Sequence, residues 1–228
     1  MNAPSSALLS SERQKRGASH FDRLARSYRW MEMFTFGPWL ERCRFAFLRE
    51  MAGCNRAVIL GDGDGRFVAR LLGSNSTVVI DAVDSSWEML RELLKRAGRD
   101  ARRVLLYHAD AREWLPLNPP YDLIVTHFFL DCFTEEEVGA LAGKLRGALS
   151  PGAMWVVSEF AIPEGSFGRW AARPVVWLLY CAFGLLTGLR VRRLPDYAAA
   201  LCAVGFSRVE RKTFLSGLLV AEIWATTN

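Results

Sequence analysis

Ala57-Val58-Ile59-Leu60-Gly61-Asp62-Gly63-Asp64-Gly65-Arg66-Phe67 decides how this chain folds. Four apolar residues, enough for one buried strand, run into three glycines on alternate positions. An apolar, helix-compatible segment (Phe67, Val68, Leu71, Leu72) follows at once. Strand, glycine turn and helix in this order are how a doubly wound α/β sheet builds a nucleotide site. Glycine is needed because the backbone must turn tightly and let a ligand approach it closely.

The fingerprint of dinucleotide sites is G-x-G-x-x-G, and its third glycine is missing. Counted from Gly61 the position holds Arg66; counted from Gly63 it holds Val68. The loop instead carries Asp62 and Asp64 between its glycines. Two carboxylates would repel a pyrophosphate, which dinucleotide folds seat at this helix N-terminus. They suit a ligand with a positive end, such as S-adenosylmethionine, which has a sulfonium and an ammonium and no phosphate. Further on, Val83-Asp84-Ser85-Ser86-Trp87-Glu88-Met89-Leu90 places an acid at a strand end, 19 residues after Gly65. That is close to the ~20-residue spacing of an acid that grips ribose hydroxyls. Asp84 can equally cap the following helix, and Asp81 competes for the ribose role. Tyr107-His108-Ala109-Asp110-Ala111 is a third strand end with an acid.

With these three landmarks in order, the chain resembles the class I S-adenosylmethionine-dependent methyltransferases from about Phe21 to its C-terminus. The resemblance implies a Rossmann-like, mainly parallel seven-stranded sheet. It also implies an antiparallel C-terminal hairpin strand, an N-terminal helical lid and a helical cap inserted after strand 5. It implies that Gly61, Asp62, Gly63 and Gly65 cradle the methionine half of the cofactor. Asp84 would grip the ribose hydroxyls and Asp110 accept from the adenine amino group, with Ser85, Ala111 and Thr126 also in the cofactor-binding set. Phe21-Asp22-Arg23-Leu24-Ala25-Arg26-Ser27-Tyr28 looks like the opening of small-molecule methyltransferases, including the ubiquinone/menaquinone biosynthesis group. There a lid helix crosses the cofactor, so Tyr28 and Arg44 join the cofactor set; an ordinary amphipathic helix explains Tyr28 as well. The central extension of the quinone enzymes is replaced here by an apolar segment.

The 228 residues suffice for one α/β domain with a cap. We read 1–17 as a flexible tail and 18–228 as a single domain, with a lid over 18–52 and an apolar insertion over 162–195. Of 29 basic residues only Lys15, Lys95, Lys144 and Lys212 are lysines, and the net charge is +5. The arginines are scattered, without the basic stripe and interleaved aromatics of an RNA groove, so no nucleic-acid partner is expected. Five cysteines, an odd number with no C-x-x-C pair, argue against zinc and disulfide frameworks and for a cytoplasmic protein. No metal site is expected.

Periodicity predicts helices over 20–33 and 39–51, then strand 1 (57–60), a helix to 72 and strand 2 (77–83). A helix to 97, strand 3 (104–107), strand 4 (122–128) and a helix over 135–149 follow. Ser150-Pro151-Gly152 reads as the stop before strand 5 (154–160). A helix over 197–204 and strand-like runs at 208–214 and 218–225 end the chain. Between strand 5 and that helix, 174–189 holds no charge, with arginines on either side. It is short for a membrane span. An interfacial segment, giving peripheral contact through 169–193 at the inner face of a membrane, and a cap over the substrate mouth both fit. Each reading points to a greasy acceptor: a lipid, quinone, polyketide or terpenoid.

Asn118-Pro119-Pro120-Tyr121 spells the tetrapeptide of amino-group methyltransferases, but it precedes strand 4 instead of following it, so it reads as a turn. The segment leaving strand 4 is Thr126-His127-Phe128-Phe129-Leu130-Asp131-Cys132. Methyl transfer from a sulfonium needs alignment and a dry pocket, and a base only where the acceptor must lose a proton. His127 and Asp131 are the catalytic candidates, with Glu159 on the rim; a backbone-bonded histidine at a strand end is the plainer reading of His127. The expectation is methyl transfer to a small hydrophobic acceptor. Its rivals are a non-catalytic cofactor-binding or membrane-surface protein on the same fold, and an RNA or protein methyltransferase.

Overall fold

A computed structural model describes residues 37–163 and 195–227. The readings of the 1–17 tail, the helix over 20–33, Tyr28 and the apolar 174–189 run lie outside the described residues.

Seven strands form one sheet in the order β3-β2-β1-β4-β5-β7-β6. They are β1 (Arg56–Leu60), β2 (Val79–Asp84), β3 (Val104–His108), β4 (Tyr121–His127), β5 (Leu149–Phe160), β6 (Phe206–Phe214) and β7 (Leu219–Thr226). β1 to β5 are parallel; β7 runs antiparallel to β5 and to β6. The order reverses at β1, where the chain crosses to β2 on one side and β4 lies on the other. The crevice outside the carboxyl ends of these strands is where such a sheet binds ligands.

Helices cover both faces, as the unbroken apolar strands require. Alternate residues of β1 point to opposite sides. Ala57 and Ile59 pack under α1 (Gly37–Arg44), α2 (Arg66–Ser74) and α3 (Trp87–Ala97). Val58 and Leu60 pack under α4 (Glu135–Arg146) and α5 (Tyr197–Ala203). Three helix starts are written in the sequence as side-chain caps. Thr134 and Glu137 form a capping box at α4. Ser86 Oγ accepts from the Met89 N–H at α3, and Asp196 caps α5. The α3 cap is thus Ser86 and not Asp84.

The boundaries differ most from expectation at two places. The helix expected to reach Met51 stops at Arg44 and continues as turns with i→i+3 bonds such as Ala46 N–H to Cys43 O. The Ala46 carbonyl, which a continuing helix would use, accepts instead from Lys212 Nζ at 3.0 Å. Ser150-Pro151-Gly152 does not precede β5 but lies inside it. Leu149 already pairs with Tyr121, and a register shift between Tyr121 and Leu123 absorbs the irregular residues, with Gly152 at a φ of 77°.

The Asn118–Tyr121 turn, with its cis Pro119–Pro120 bond, sits at the amino end of β4, opposite the glycine loop. Its polar groups serve the core. Tyr121 Oη donates to Asp81 Oδ2 at 2.6 Å, and Asn118 Nδ2 donates to the same oxygen and to Tyr107 Oη. Asp81 is fully buried, which removes it as a competitor for the ribose. Tyr121→Phe takes a charge-assisted bond from a buried carboxylate, and a loss of about 1–3 kcal/mol is expected in urea unfolding. Cofactor binding at the far end of the sheet should not change.

Candidate active site

The three glycines of the loop all have positive φ, but for different reasons. A Cβ on Gly61 would overlap the Phe129 ring. A Cβ on Gly65 would lie 2.5 Å from Leu93 Cα, so Gly65 lets α2 and α3 pack together and leaves no space there for a ligand. Only Gly63 opens on free space: its φ is 62° and the nearest atom to an added Cβ is Met89 Sδ at 3.9 Å. That opening leaves room that a bound cofactor could fill.

The two loop aspartates also separate. Asp62 turns back to α2 and accepts from the backbone N–H of Phe67 (3.4 Å) and Val68 (2.9 Å). The positive end of that helix is therefore filled by the chain's own carboxylate, in the place where a dinucleotide fold seats its pyrophosphate. Asp64 was expected to meet a ligand cation. It is buried and instead takes Arg96 Nη2 at 2.8 Å and Arg66 Nε at 3.3 Å. Its charge is spent inside the protein.

Asp84 ends β2, and its carboxylate accepts from the N–H groups of Ser86 (2.8 Å) and Gly63. It therefore ties the glycine loop to the strand that carries the ribose candidate. Burial pushes its carboxyl up to about 6 against those bonds and the neighbouring His108. Asp62 is pushed up to about 7 by burial, opposed by Arg44 and its two N–H donors and assisted by Asp64. Ser85 is exposed, and its carbonyl accepts from His108 Nε2 at 2.9 Å. Asp110 follows β3 and is bound by Arg112 on both oxygens, with Ala111 buried beside it. Thr126 is fully buried and its hydroxyl accepts from Trp155 Nε1 at 3.0 Å, so its side chain belongs to the core.

Arg44, at the end of α1, places its guanidinium 5.8 Å from the centre of the Phe128 ring. It is near enough to Asp62 and His127 to act on both titrations. Phe128 itself is held at a φ of 53°, a left-handed conformation that costs a bulky residue about 1–3 kcal/mol. The strained turn throws the chain sharply away from β4 and sets up two ring pairs, Phe128 with Phe160 (5.2 Å) and Phe129 with Phe133 (4.9 Å).

His127 is buried and lies edge-on to Phe67 at 4.5 Å. Its Nδ1 is 2.9 Å from Ser158 Oγ, and its Nε2 has no partner among the described residues. Burial, and then Arg44, hold the imidazole well below its usual pKa, so it is neutral around pH 7. Glu159 is buried at the end of β5. Its Oε1 accepts from Phe129 N–H (2.9 Å) and Leu130 N–H (2.7 Å), and its Oε2 is unpartnered among the described residues. Burial, and then the nearby Asp131, push its carboxyl well above the usual range.

The structure thus brings Arg44, Asp62, Gly63, Asp84 and His127 to one end of the sheet, with Asp131 and Glu159 on the α4 side of the same edge. Sequence reasoning missed Ser158 and the backbone-tying role of Glu159. The signal for Ser158 is the β4–β5 register, which sets His127 against it. Among the described residues no His, Cys, Asp and Glu group could hold a metal ion, and no helix is long and apolar enough to cross a membrane.

Residues 58–152 match the family described as "Methyltransferase domain". No curated protein matches the chain in sequence. Among solved structures, the mitomycin 7-O-methyltransferase MmcR is 15% identical with a TM-score of 0.63, over 91% of this chain and 67% of its own. An O-methyltransferase family protein from Burkholderia thailandensis is 14% identical with a TM-score of 0.68, over 94% and 63%. The N,N-8-amino-8-demethyl-D-riboflavin dimethyltransferase RosA from Streptomyces davawensis is 19% identical with a TM-score of 0.63, over 89% and 58%. The chain spans less than two thirds of the length of the last two. S-adenosylmethionine is the cofactor of such a domain, and the open slot at Gly63, the acid ending β2 and the phosphate-excluding Asp62 fit it. The central 58–152 is thus similar to the methyltransferase domain family, and the sheet has the fold of the solved methyltransferases.

Proposed function

We propose that the chain is an enzyme that methylates a small hydrophobic acceptor with S-adenosylmethionine. The observation that carries this reading is Asp62 on the N-terminus of α2. A loop with its helix end already neutralised has no use for a phosphate, while its open glycine suits a nucleoside with a cationic sulfur. When bound, S-adenosylmethionine supplies an electrophilic methyl on a good leaving group. The chain's residues hold the reactants in line and keep water out. Arg44 offers a cation to the carboxylate of the amino-acid end, and Asp84 accepts from the ribose hydroxyls. Tyr28, outside the described residues, keeps its role as lid contact.

His127 Nε2 is the group we assign to take the acceptor's proton where one must leave, with Asp131 orienting the acceptor. Support for a hydrophobic acceptor comes from Phe128, Phe129 and Phe133 after β4, from Phe160 at the end of β5 and from the uncharged 174–189 run. We read 18–228 as one domain. The four described cysteines are free thiols, which supports a cytoplasmic location.

Calorimetry tests the cofactor half directly. Adenosylhomocysteine should bind and NADH should not; the reverse result overturns the reading. The pH dependence has a fixed sign. Asp62 and Asp84 must be ionised to complement the ligand, and their carboxyls sit at about 7 and about 6 in the free protein. Affinity for S-adenosylmethionine should therefore rise from pH 5 to pH 8. The folded protein holds these protons more tightly than the unfolded chain does. Stability of the free protein should accordingly fall over the same pH rise. Turnover is then sought with methyl-labelled cofactor and a panel of phenols, quinols and hydroxylated lipids. Tight binding with no transfer to any of them favours a non-catalytic role.

A further inference from the structure

The chain has three histidines, and two of them sit at the crevice edge in opposite hydrogen-bonding situations. His108 Nε2 lies 2.9 Å from the Ser85 carbonyl, which can only accept, so its hydrogen must be on Nε2 when the ring is neutral. His127 faces a hydroxyl instead. Ser158 Oγ lies 2.9 Å from His127 Nδ1 and 3.3 Å from the Cys43 carbonyl oxygen. The serine has one hydrogen: turned to Cys43 O it leaves Oγ free to accept from Nδ1–H, so both bonds are made, whereas turned to Nδ1 it makes one bond and leaves an Nε2–H buried with no partner among the described residues. The arrangement that makes both bonds has the serine oxygen accepting from the ring and the ring's single hydrogen on Nδ1. Nε2 is left as a bare lone pair, and it is the ring nitrogen that has no partner among the described residues. All three groups are fixed by the fold. His127 and Ser158 are register partners of β4 and β5, both buried, and Cys43 is on α1, anchored by Sγ to the Val220 carbonyl at 3.3 Å.

We propose that Ser158 is a positioning residue that holds His127 in its Nδ1–H tautomer, through the relay His127 Nδ1–H to Ser158 Oγ–H to Cys43 O, so that Nε2 is presented as a ready proton acceptor. The proposal rests on the assignment of His127 as the group that receives the acceptor's proton. It gives that assignment a direction: the hydrogen-bond donor must reach the buried Nε2, and a hydroxyl or N–H group meets there a nitrogen that needs no prior tautomer shift. It also separates the two ring functions, one nitrogen anchoring and the other reacting, as a second partner on a histidine ring commonly does.

Nitrogen-15 NMR of the free, ring-labelled protein reads the tautomer without any substrate. With three histidines the ring signals are assignable by single His→Gln variants. In the wild type His127 should show a protonated, pyrrole-type Nδ1 and an unprotonated, pyridine-type Nε2, with His108 showing the opposite pattern. The Nδ1–H form should exceed the Nε2–H form by about tenfold or more, the effect of one buried hydrogen bond. In Ser158→Ala that ratio should fall to about one or below, and Ser158→Thr, which keeps the hydroxyl, should restore it. A wild-type His127 carrying its hydrogen on Nε2 overturns the proposal, whether or not the variants fold. So does a ratio that Ser158→Ala leaves untouched. Adenosylhomocysteine calorimetry on the same samples reports separately on the methyl-transfer reading, so failure of one is not failure of the other.

Discussion

Gly63→Ala is expected to lower affinity for adenosylhomocysteine by about 100-fold or more while leaving the protein folded. The added methyl enters the one loop position that faces open space. There it occupies the volume the ligand would need, and a displacement of the ligand by even part of a methyl radius forfeits contacts along the whole amino-acid end. A hundredfold loss corresponds to about 2.7 kcal/mol of binding energy. The cost to folding is smaller, about 1–2 kcal/mol for an alanine held at positive φ. Calorimetry and urea unfolding on the same variant separate the two. Unchanged affinity would mean that the glycine loop is not the cradle.

Gly65→Ala should show the reverse pattern, with stability hit hardest. Its φ of 79° is strained for alanine, and the new Cβ would sit 2.5 Å from the Leu93 backbone and 2.6 Å from its side chain. Backbone cannot swing aside as a flexible side-chain end can, so α2 and α3 would have to part. Left-handed strain of about 1–2 kcal/mol and overpacking of about 1–3 kcal/mol together give about 2–5 kcal/mol. That is a large share of the ~5–15 kcal/mol that holds a typical domain folded. Gly73→Ala is the control. It lies in α2 with nothing near its Cβ position, and should stabilise the helix by about 0.5–1 kcal/mol. An unfolding midpoint for Gly65→Ala equal to wild type would sink the packing argument.

The contrast between these neighbours shows where the sequence stops being legible. The G-x-G-x-G pattern announces a strand–turn–helix unit, because tight turns and glycine go together at short range. It does not say which glycine faces the ligand. Leu93 is far from Gly65 in the chain, and its contact is set by how two helices pack. Asp64 is the same case. Its partner Arg96 comes from α3, 32 residues on, so a carboxylate that looked available is neutralised from a distance. Helix starts were readable because a cap and its N–H group are three residues apart, as at Thr134 and Glu137. The beginning of β5 was not, since proline and glycine mark turns and bulges alike and only the pairing of Leu149 with Tyr121 distinguishes them. His127 was visible as a candidate. What orients it was hidden, because Ser158 becomes its neighbour only through the register of β4 on β5.

The carboxylate folded back onto α2 has a consequence for selectivity in a crowded cell. ATP and the nicotinamide nucleotides share an adenosine with S-adenosylmethionine, and a pocket that judged only that half would be jammed by them. On the proposed reading the ionised Asp62 carboxylate is the chain's own competitor at the spot where a phosphate would land. Discrimination of that kind would be set before any substrate arrives, and it would survive remodelling of the acceptor end for a new substrate.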